Sequence, residues 1–438
     1  MQDSKAHQLV IVGGGVADIE IATRLGRRWT KERRRGAAVP EITLVDADGA
    51  HVWKPILHTI AAGTRDVSQQ DVSFITQARD AGFRYLPGAL TGLDRAARQI
   101  TLAPLQAPDG RLVIPERRVP YDTLVLAVGS ESNDFGTPGV AEHCRTIDER
   151  RQALAFHQEI RIRMLQSLAL GEDLPIAIVG GGATGVELAA ELVQLREISA
   201  GLGAEGLRGR MTVTLIESGE RLLSGFPEDI SAATLARLRG LGITVLVGAR
   251  VTGATADGFT LADGSTVRSS LKVWAAGIRA PALLSGLDGL ETARSHQLRI
   301  RPNLRTTADA AIYAIGDCAC LQPEGAAHPL PATAQVASQE AGHLVRHLPA
   351  AISEGRAVPD FVFHDRGMLV SLADYAAYGS LGRFGLFKGM TFRGRLAQFG
   401  HEMLYRSHQA MLFGFWRGSL VWLADRLNAR VRMPARRD

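Results

Sequence analysis

At 438 residues, 46% of them hydrophobic and 22% charged, the chain can hold about two or three domains with full cores and has an ordinary enzyme-like composition. Its three cysteines, Cys144, Cys318 and Cys320, form neither a disulfide framework nor a CxxC pair; this implies a reducing compartment, and a lone C-x-C is not a metal site. The polar N-terminus runs straight into a strand with no leader pattern, no apolar run reaches the roughly 18 residues of a membrane span, and the net charge of +5 is concentrated in residues 383–438, which carry eleven Lys and Arg against three Asp and Glu.

The first predicted element is the strand opening "QLVIVGGGVADIEIA" (8–22), which enters a glycine turn and then a helical pattern. Gly13, Gly14 and Gly15 suit a dinucleotide-binding βαβ unit, but the last position of G-x-G-x-x-G is Asp18. That glycine mainly lets the helix lie close to the strand, whereas the earlier ones admit the phosphates. Two readings of Asp18 stay open. An acid in a first helical turn is favourable by about 0.3–1 kcal/mol; a carboxylate at the phosphate subsite instead competes with the ligand. The next strand, "EITLVDAD" (41–48), ends in Asp46, placed for a ribose.

The whole pattern recurs 167 residues later. "IVGGGATGVELAAEL" (178–192) repeats the glycine turn and helix, complete with Gly180, Gly182 and Gly185, and "TVTLIESG" (212–219) repeats the second strand, ending in Glu217. Glycines for a tight turn, a helix N-terminus for phosphate and a terminal acid for ribose hydroxyls make a dinucleotide site, so two copies imply two dinucleotides. A carboxylate at 217 repels a 2′-phosphate and favours NADH over NADPH. Glu187 follows the complete glycine motif by two residues, and Glu20 holds the matching place in the first copy, so an ordinary helix glutamate is an equal reading.

Between and after the repeats stand "AHVWKPILHTIAAG" (50–63), "LAVGS" (126–130), "VWAAGIRAP" (273–281), "IYAIGDCA" (312–319) and "PATAQVASQEA" (331–341). With these in matching order and spacing, the chain from about residue 8 to about 430 closely resembles the type II NADH dehydrogenases, single-chain FAD-containing NADH:quinone oxidoreductases of one membrane face. The resemblance implies an α/β fold with two Rossmann-like domains: FAD domain 1–144 and 286–382, the latter part carrying quinone-site residues; an inserted NADH domain, 145–285; and a membrane-associating tail, 383–438. It implies FAD at Gly13, Gly14, Gly15, Asp46, Gly129 and Asp317, with Lys54 by the flavin. NADH falls to Gly180, Gly182, Gly185, Glu217 and Gly277. Glu187, Gln335, Gln339 and Lys54 become the catalytic candidates, the two glutamines lying near the flavin and quinone, although capping or surface roles would also suit them. The implied activity passes a hydride from NADH to FAD and two electrons to quinone without proton pumping, on the cytoplasmic face of the inner membrane. Lipid surface and quinone are the implied partners, nucleic acid is not, and a homodimer is left open.

Other chemistries share this layout. A disulfide reductase needs a redox cysteine pair after the first ribose acid, and residues 47–90 contain no cysteine. Sulfide oxidation needs cysteines flanking the flavin, for which Cys144 and Cys318 are a poor set. A soluble ferredoxin-type reductase, or a cofactor-poor NADH-binding sensor damaged at Asp18, stands as the alternative. The tail weighs toward a membrane. Trp416, Leu420, Leu423, Leu427 and Val431 recur at helical spacing with Arg417, Asp425, Arg426 and Arg430 between them, as in a helix lying in the membrane interface; packing on the body or on a second subunit is the bland alternative.

Overall fold

The computed structural model describes residues 6–64, 71–107, 109–372, 376–380, 391–393 and 395–431. The parts of the expected tail at 383–390, 394 and 432–438 lie outside the described residues. The chain divides into two compact units, one of Met1–Trp53, Asp71–Glu131 and Ile278–Phe363, the other of Lys54–Gln70, Ser132–Gly277 and His364–Asp438.

Two parallel sheets organise these units. In chain order their strands are β1 (Gln8–Val12), β2 (Glu41–Asp46), β3 (Arg84–Pro87), β4 (Thr123–Leu126), β5 (Leu174–Val179), β6 (Met211–Ile216), β7 (Thr244–Leu246), β8 (Leu271–Trp274) and β9 (Ile312–Ala314). The helices that matter below are α1 (Val16–Arg33), α2 (Leu57–Ala62), α3 (Arg150–Leu170), α4 (Ala183–Gly201), α5 (Ala334–Glu354), α6 (Arg395–Phe413) and α7 (Phe415–Val431).

In the first unit the sheet order is β9-β4-β1-β2-β3, and Val12 sits in register with both Leu126 and Val45. The strand order reverses at β1, and the crevice beyond the carboxyl ends of strands at such a switch is where open α/β sheets bind ligands. The runs "LVIV" and "TLVL" are buried throughout, as strands covered on both faces must be. The second unit repeats the plan with the order β7-β6-β5-β8 and Val179 in register with Ile216 and Trp274. It also carries an antiparallel sheet of Met368–Leu372, Ala376–Ser380 and Thr391–Arg393, against which α6 packs.

Candidate functional site

The two glycine loops adopt the same backbone. Gly13 and Gly180 have φ of +127° and +117°, a region that L side chains rarely adopt, and each donates its N–H across the sheet at 2.8 Å, to Val45 O and Ile216 O respectively. Gly15 and Gly182 then begin their helices in the same extended conformation, with φ of −72° and −74°. The acids that close the second strands turn back onto these loops. A Cβ on Gly14 would stand 2.8 Å from Asp46 Oδ2, and one on Gly181 2.8 Å from Glu217 Oε2. Glu217 is tied from both ends, Oε2 accepting from the Gly181 amide and Oε1 from the Gly219 amide, each at 2.6 Å. Asp46 Oδ1 accepts from the Asp48 amide at 2.7 Å.

The loops differ at their last position. A Cβ on Gly185 would overlap the Gly180 carbonyl oxygen, so α4 lies as close to its strand as glycine alone permits. Asp18, which carries a Cβ, takes the matching place in the first loop. Its side chain curls back, and Oδ2 accepts from the Gly15 amide at 2.7 Å, the reach-back from the third helical position that closes one arm of a capping box. Asp18 is fully buried, and burial raises its pKa well above the usual carboxylate value, the nearby Asp46 carboxylate adding to the shift and the Gly15 amide opposing it. Asp18 therefore caps the helix, and it does so with the amide of Gly15 in the glycine turn.

Elsewhere the first unit fits a bound dinucleotide. A Cβ on Gly129 would meet nothing within 4 Å, so there is room in front of that turn, whereas one on Gly15 would stand 3.3 Å from Asp18 Oδ2. Asp317 lies in the 3-10 turn Gly316–Cys318, where Oδ2 accepts from Ser130 Oγ at 2.7 Å and its carbonyl from Gln297 Nε2 at 2.9 Å. Glu340 holds the turn from below, Oε2 accepting from the Gly316 amide at 2.7 Å. Burial first, then the charge of Asp317, pushes the Glu340 pKa up to about 8. His51, from the "HVWKP" motif, is buried with its pKa lowered to about 4 by burial and donates from Nδ1 to Gly14 O at 2.7 Å; a neutral ring buttresses the loop.

Gln335 and Gln339 lie one turn apart on α5, half-buried and 3.5 Å from each other. Neither caps the helix; Thr333 does, accepting from the Val336 amide. Glu20 pairs with Arg24 at 2.6 Å and accepts from Ser338 Oγ, which makes it a structural acid. Cys318 is fully buried, its thiol pushed up to about 12 chiefly by burial, so it is a small filler without thiolate character.

The second unit gives Glu187 a different setting from Glu20. It is buried on α4, Oε1 accepting from the Ser371 amide at 3.0 Å and Oε2 standing 3.4 Å from His58 Nδ1 on α2. Burial above all, with the charge of Glu191 adding, pushes its pKa up to about 8. Glu191 itself accepts from Thr64 Oγ1 at 2.5 Å. Lys54 opens the 3-10 turn Lys54–Ile56 with an exposed side chain. Gly277, at φ +62°, faces the Phe135 ring.

Sequence reasoning missed His51, His58, Ser130 and Glu340. Two of them carried a signal: Glu340 falls on the apolar stripe of Val336, Ala337, Ala341, Leu344 and Leu348, and His58 sits inside "PILHTIAAG", and a titratable group on an otherwise apolar face needs a reason. His51 and Ser130 carried none, since their partners are 37 and 187 residues away.

Residues 7–341 match the family model described as pyridine nucleotide-disulphide oxidoreductase. The chain is 38% identical to the type II NADH:quinone oxidoreductase of Haemophilus influenzae, covering 97% of this chain and 98% of that protein. It is 26% identical to that of Staphylococcus saprophyticus, over 92% of this chain and 94% of the other. It belongs to the type II NADH:quinone oxidoreductases. Among solved structures, NDH2 from Plasmodium falciparum in complex with NADH shares the fold with a TM-score of 0.81 at 19% identity, over 99% of this chain and all of that one. The sulfide:quinone oxidoreductase of Aquifex aeolicus follows at 0.71 and 17% identity, over 93% and 92%. Family membership settles the alternatives in favour of the oxidoreductase.

Proposed function

We propose that the chain oxidises NADH through FAD and reduces a quinone drawn from the membrane, with the first unit holding FAD and the second NADH. The observation that carries this is the likeness to the Haemophilus enzyme over nearly the full length of both chains, backed by two glycine loops of one geometry, each closed by an acid. When bound, the flavin supplies hydride acceptance and two-electron release.

The chain's own residues do the rest. Gly13, Gly14, Gly15 and Gly129 would admit the FAD phosphates, with Asp46 at the adenosine ribose and Asp317 at the ribityl or phosphate region. Gly180, Gly182, Gly185 and Gly277 do the same for NADH, and Glu217 selects against a 2′-phosphate. Quinone reduction consumes two protons, one accompanying the hydride from NADH and one from solvent. Glu187, with a pKa near the operating pH, suits the transfer of one of them. Lys54, Gln335 and Gln339 are the further groups assigned to the flavin and quinone.

Membrane association falls to α7. Trp416, Leu420, Leu423 and Leu427 are all exposed and recur on one helical face, which is the pattern of a helix lying in the membrane interface. No helix among the described residues is long and apolar enough to cross a bilayer. The face is the cytoplasmic one. Ile162, Leu165 and Leu170 on α3 are also exposed and offer a surface to a second copy.

The test is the visible flavin spectrum of the purified full-length protein in liposomes. NADH should bleach it and added quinone restore it. A protein without flavin, or a bleached flavin that quinone leaves reduced, overturns the reading.

A further inference from the structure

We propose that Asp18 couples FAD binding to a proton: the FAD pyrophosphate takes the N-terminus of α1 when the Asp18 carboxyl is neutral, and is repelled when it is ionised. The inference rests on the first unit being the FAD unit, and goes beyond it by assigning a cofactor-binding switch to the position at which an acid replaces the last glycine of the motif.

Geometry carries it. Asp18 Oδ2 already accepts from the Gly15 amide at 2.7 Å and lies 2.6 Å from where a Cβ on Gly13 would stand, so the carboxyl occupies the turn that receives phosphate. Its other oxygen, Oδ1, is buried and makes no hydrogen bond among the described residues. A buried oxygen left unpaired is costly, and more so when it carries charge. With a proton on Oδ1, Asp18 is a neutral acid that keeps the Gly15 amide on Oδ2 and puts no negative charge beside the phosphate turn. Without the proton, two anions share one helix terminus in a site from which water is excluded.

The groups facing Asp18 favour the neutral form. On its own helix the Gly15 amide stabilises the anion. Against it stand burial and the Asp46 carboxylate at the end of β2; Cys318 in the Gly316–Cys318 turn, its thiol pushed up to about 12, stays neutral and adds no charge. Because FAD binding favours the protonated carboxyl, it raises that group's pKa further. Affinity is then constant at low pH and falls as pH rises through the pKa of the FAD-free protein, with one proton taken up for each FAD bound above it. The limiting slope for one proton is about tenfold in the dissociation constant per pH unit.

The experiment follows FAD release from full-length flavin-loaded protein on dilution, read as the rise in free-flavin fluorescence, between about pH 5.5 and about pH 8.5. Wild type, Asp18→Asn and Asp18→Gly are compared, with melting temperatures to verify folding. Asparagine keeps the acceptor for Gly15 and places a permanent donor at the Oδ1 position, so it mimics the neutral acid at every pH. The expected result is a dissociation constant that climbs with pH for wild type, at up to about tenfold per unit, and stays flat for Asp18→Asn, matching the acidic limit of wild type. Profiles for wild type and Asp18→Asn that coincide, whether flat or sloping, overturn the proposal while leaving FAD binding intact. Flavin missing from all three proteins, Asp18→Gly included, overturns the FAD reading and the proposal with it.

Discussion

Replacing Glu187 by glutamine tests whether the buried acid of the second unit carries a proton at neutral pH. Its pKa lies at about 8 against an ordinary 4.5, with burial as the main cause. A carboxyl whose pKa is raised on folding destabilises the fold once it ionises, so wild-type stability falls as pH rises from about 4.5 toward about 8. At about 1.4 kcal/mol per pH unit, the fully ionised group costs on the order of 5 kcal/mol. That is an upper limit, because relaxation and water penetration lower the cost of a buried charge. Glutamine keeps the acceptor for the Ser371 amide and, like the protonated acid, carries no charge. Melting curves of wild type and Glu187→Gln should therefore coincide at about pH 5, and at about pH 9 the variant should melt higher by several degrees, given roughly 2–4 °C per kcal/mol for a body of this size. The pH profile of quinone reduction should lose its limb near pH 8 in the same variant. A melting difference of equal size at both pH values would refute the argument.

Three further outcomes are expected. NADH should be oxidised far better than NADPH, measured as the ratio of kcat/KM values, because Glu217 holds a carboxylate at the ribose end of its loop; equal values would contradict that. Gly185→Ala should raise the KM for NADH at least tenfold and lower the melting temperature, since its Cβ would overlap the Gly180 carbonyl and α4 must shift to make room. Truncation after about residue 382 should release the protein from liposomes in a sedimentation assay while NADH-driven reduction of a soluble dye survives, and a truncated protein that still sediments would exclude α6 and α7 as the anchor.

The double repeat made both parallel sheets legible, because a buried parallel strand, a glycine turn and a terminal acid are local features with a fixed order. Gly13 and Gly180, Asp46 and Glu217 could be paired by alignment alone. The Asp18 carboxyl could be seen to be out of place, but not where it would go, since its burial depends on β2 and on the turn at Cys318, far along the chain. Glu187 and Glu20 read alike in sequence and part in structure, one facing a histidine and the other an arginine. The antiparallel sheet after Met368 was not read at all: its strands run three to five residues, too short for an alternation to stand out.

Glu217 has a consequence for anyone redesigning the coenzyme. The side chain proposed to turn away a 2′-phosphate is also the acceptor for two loop amides, Gly181 and Gly219, at 2.6 Å each. Discrimination and scaffolding are thus vested in one carboxylate. Exchanging it for a neutral or basic residue would admit NADPH only by freeing two amide donors beside the phosphate turn, so a switch of preference needs a compensating acceptor introduced with it. Evolution faces the same coupled choice, which makes the preference for NADH at this site harder to lose than a single codon suggests.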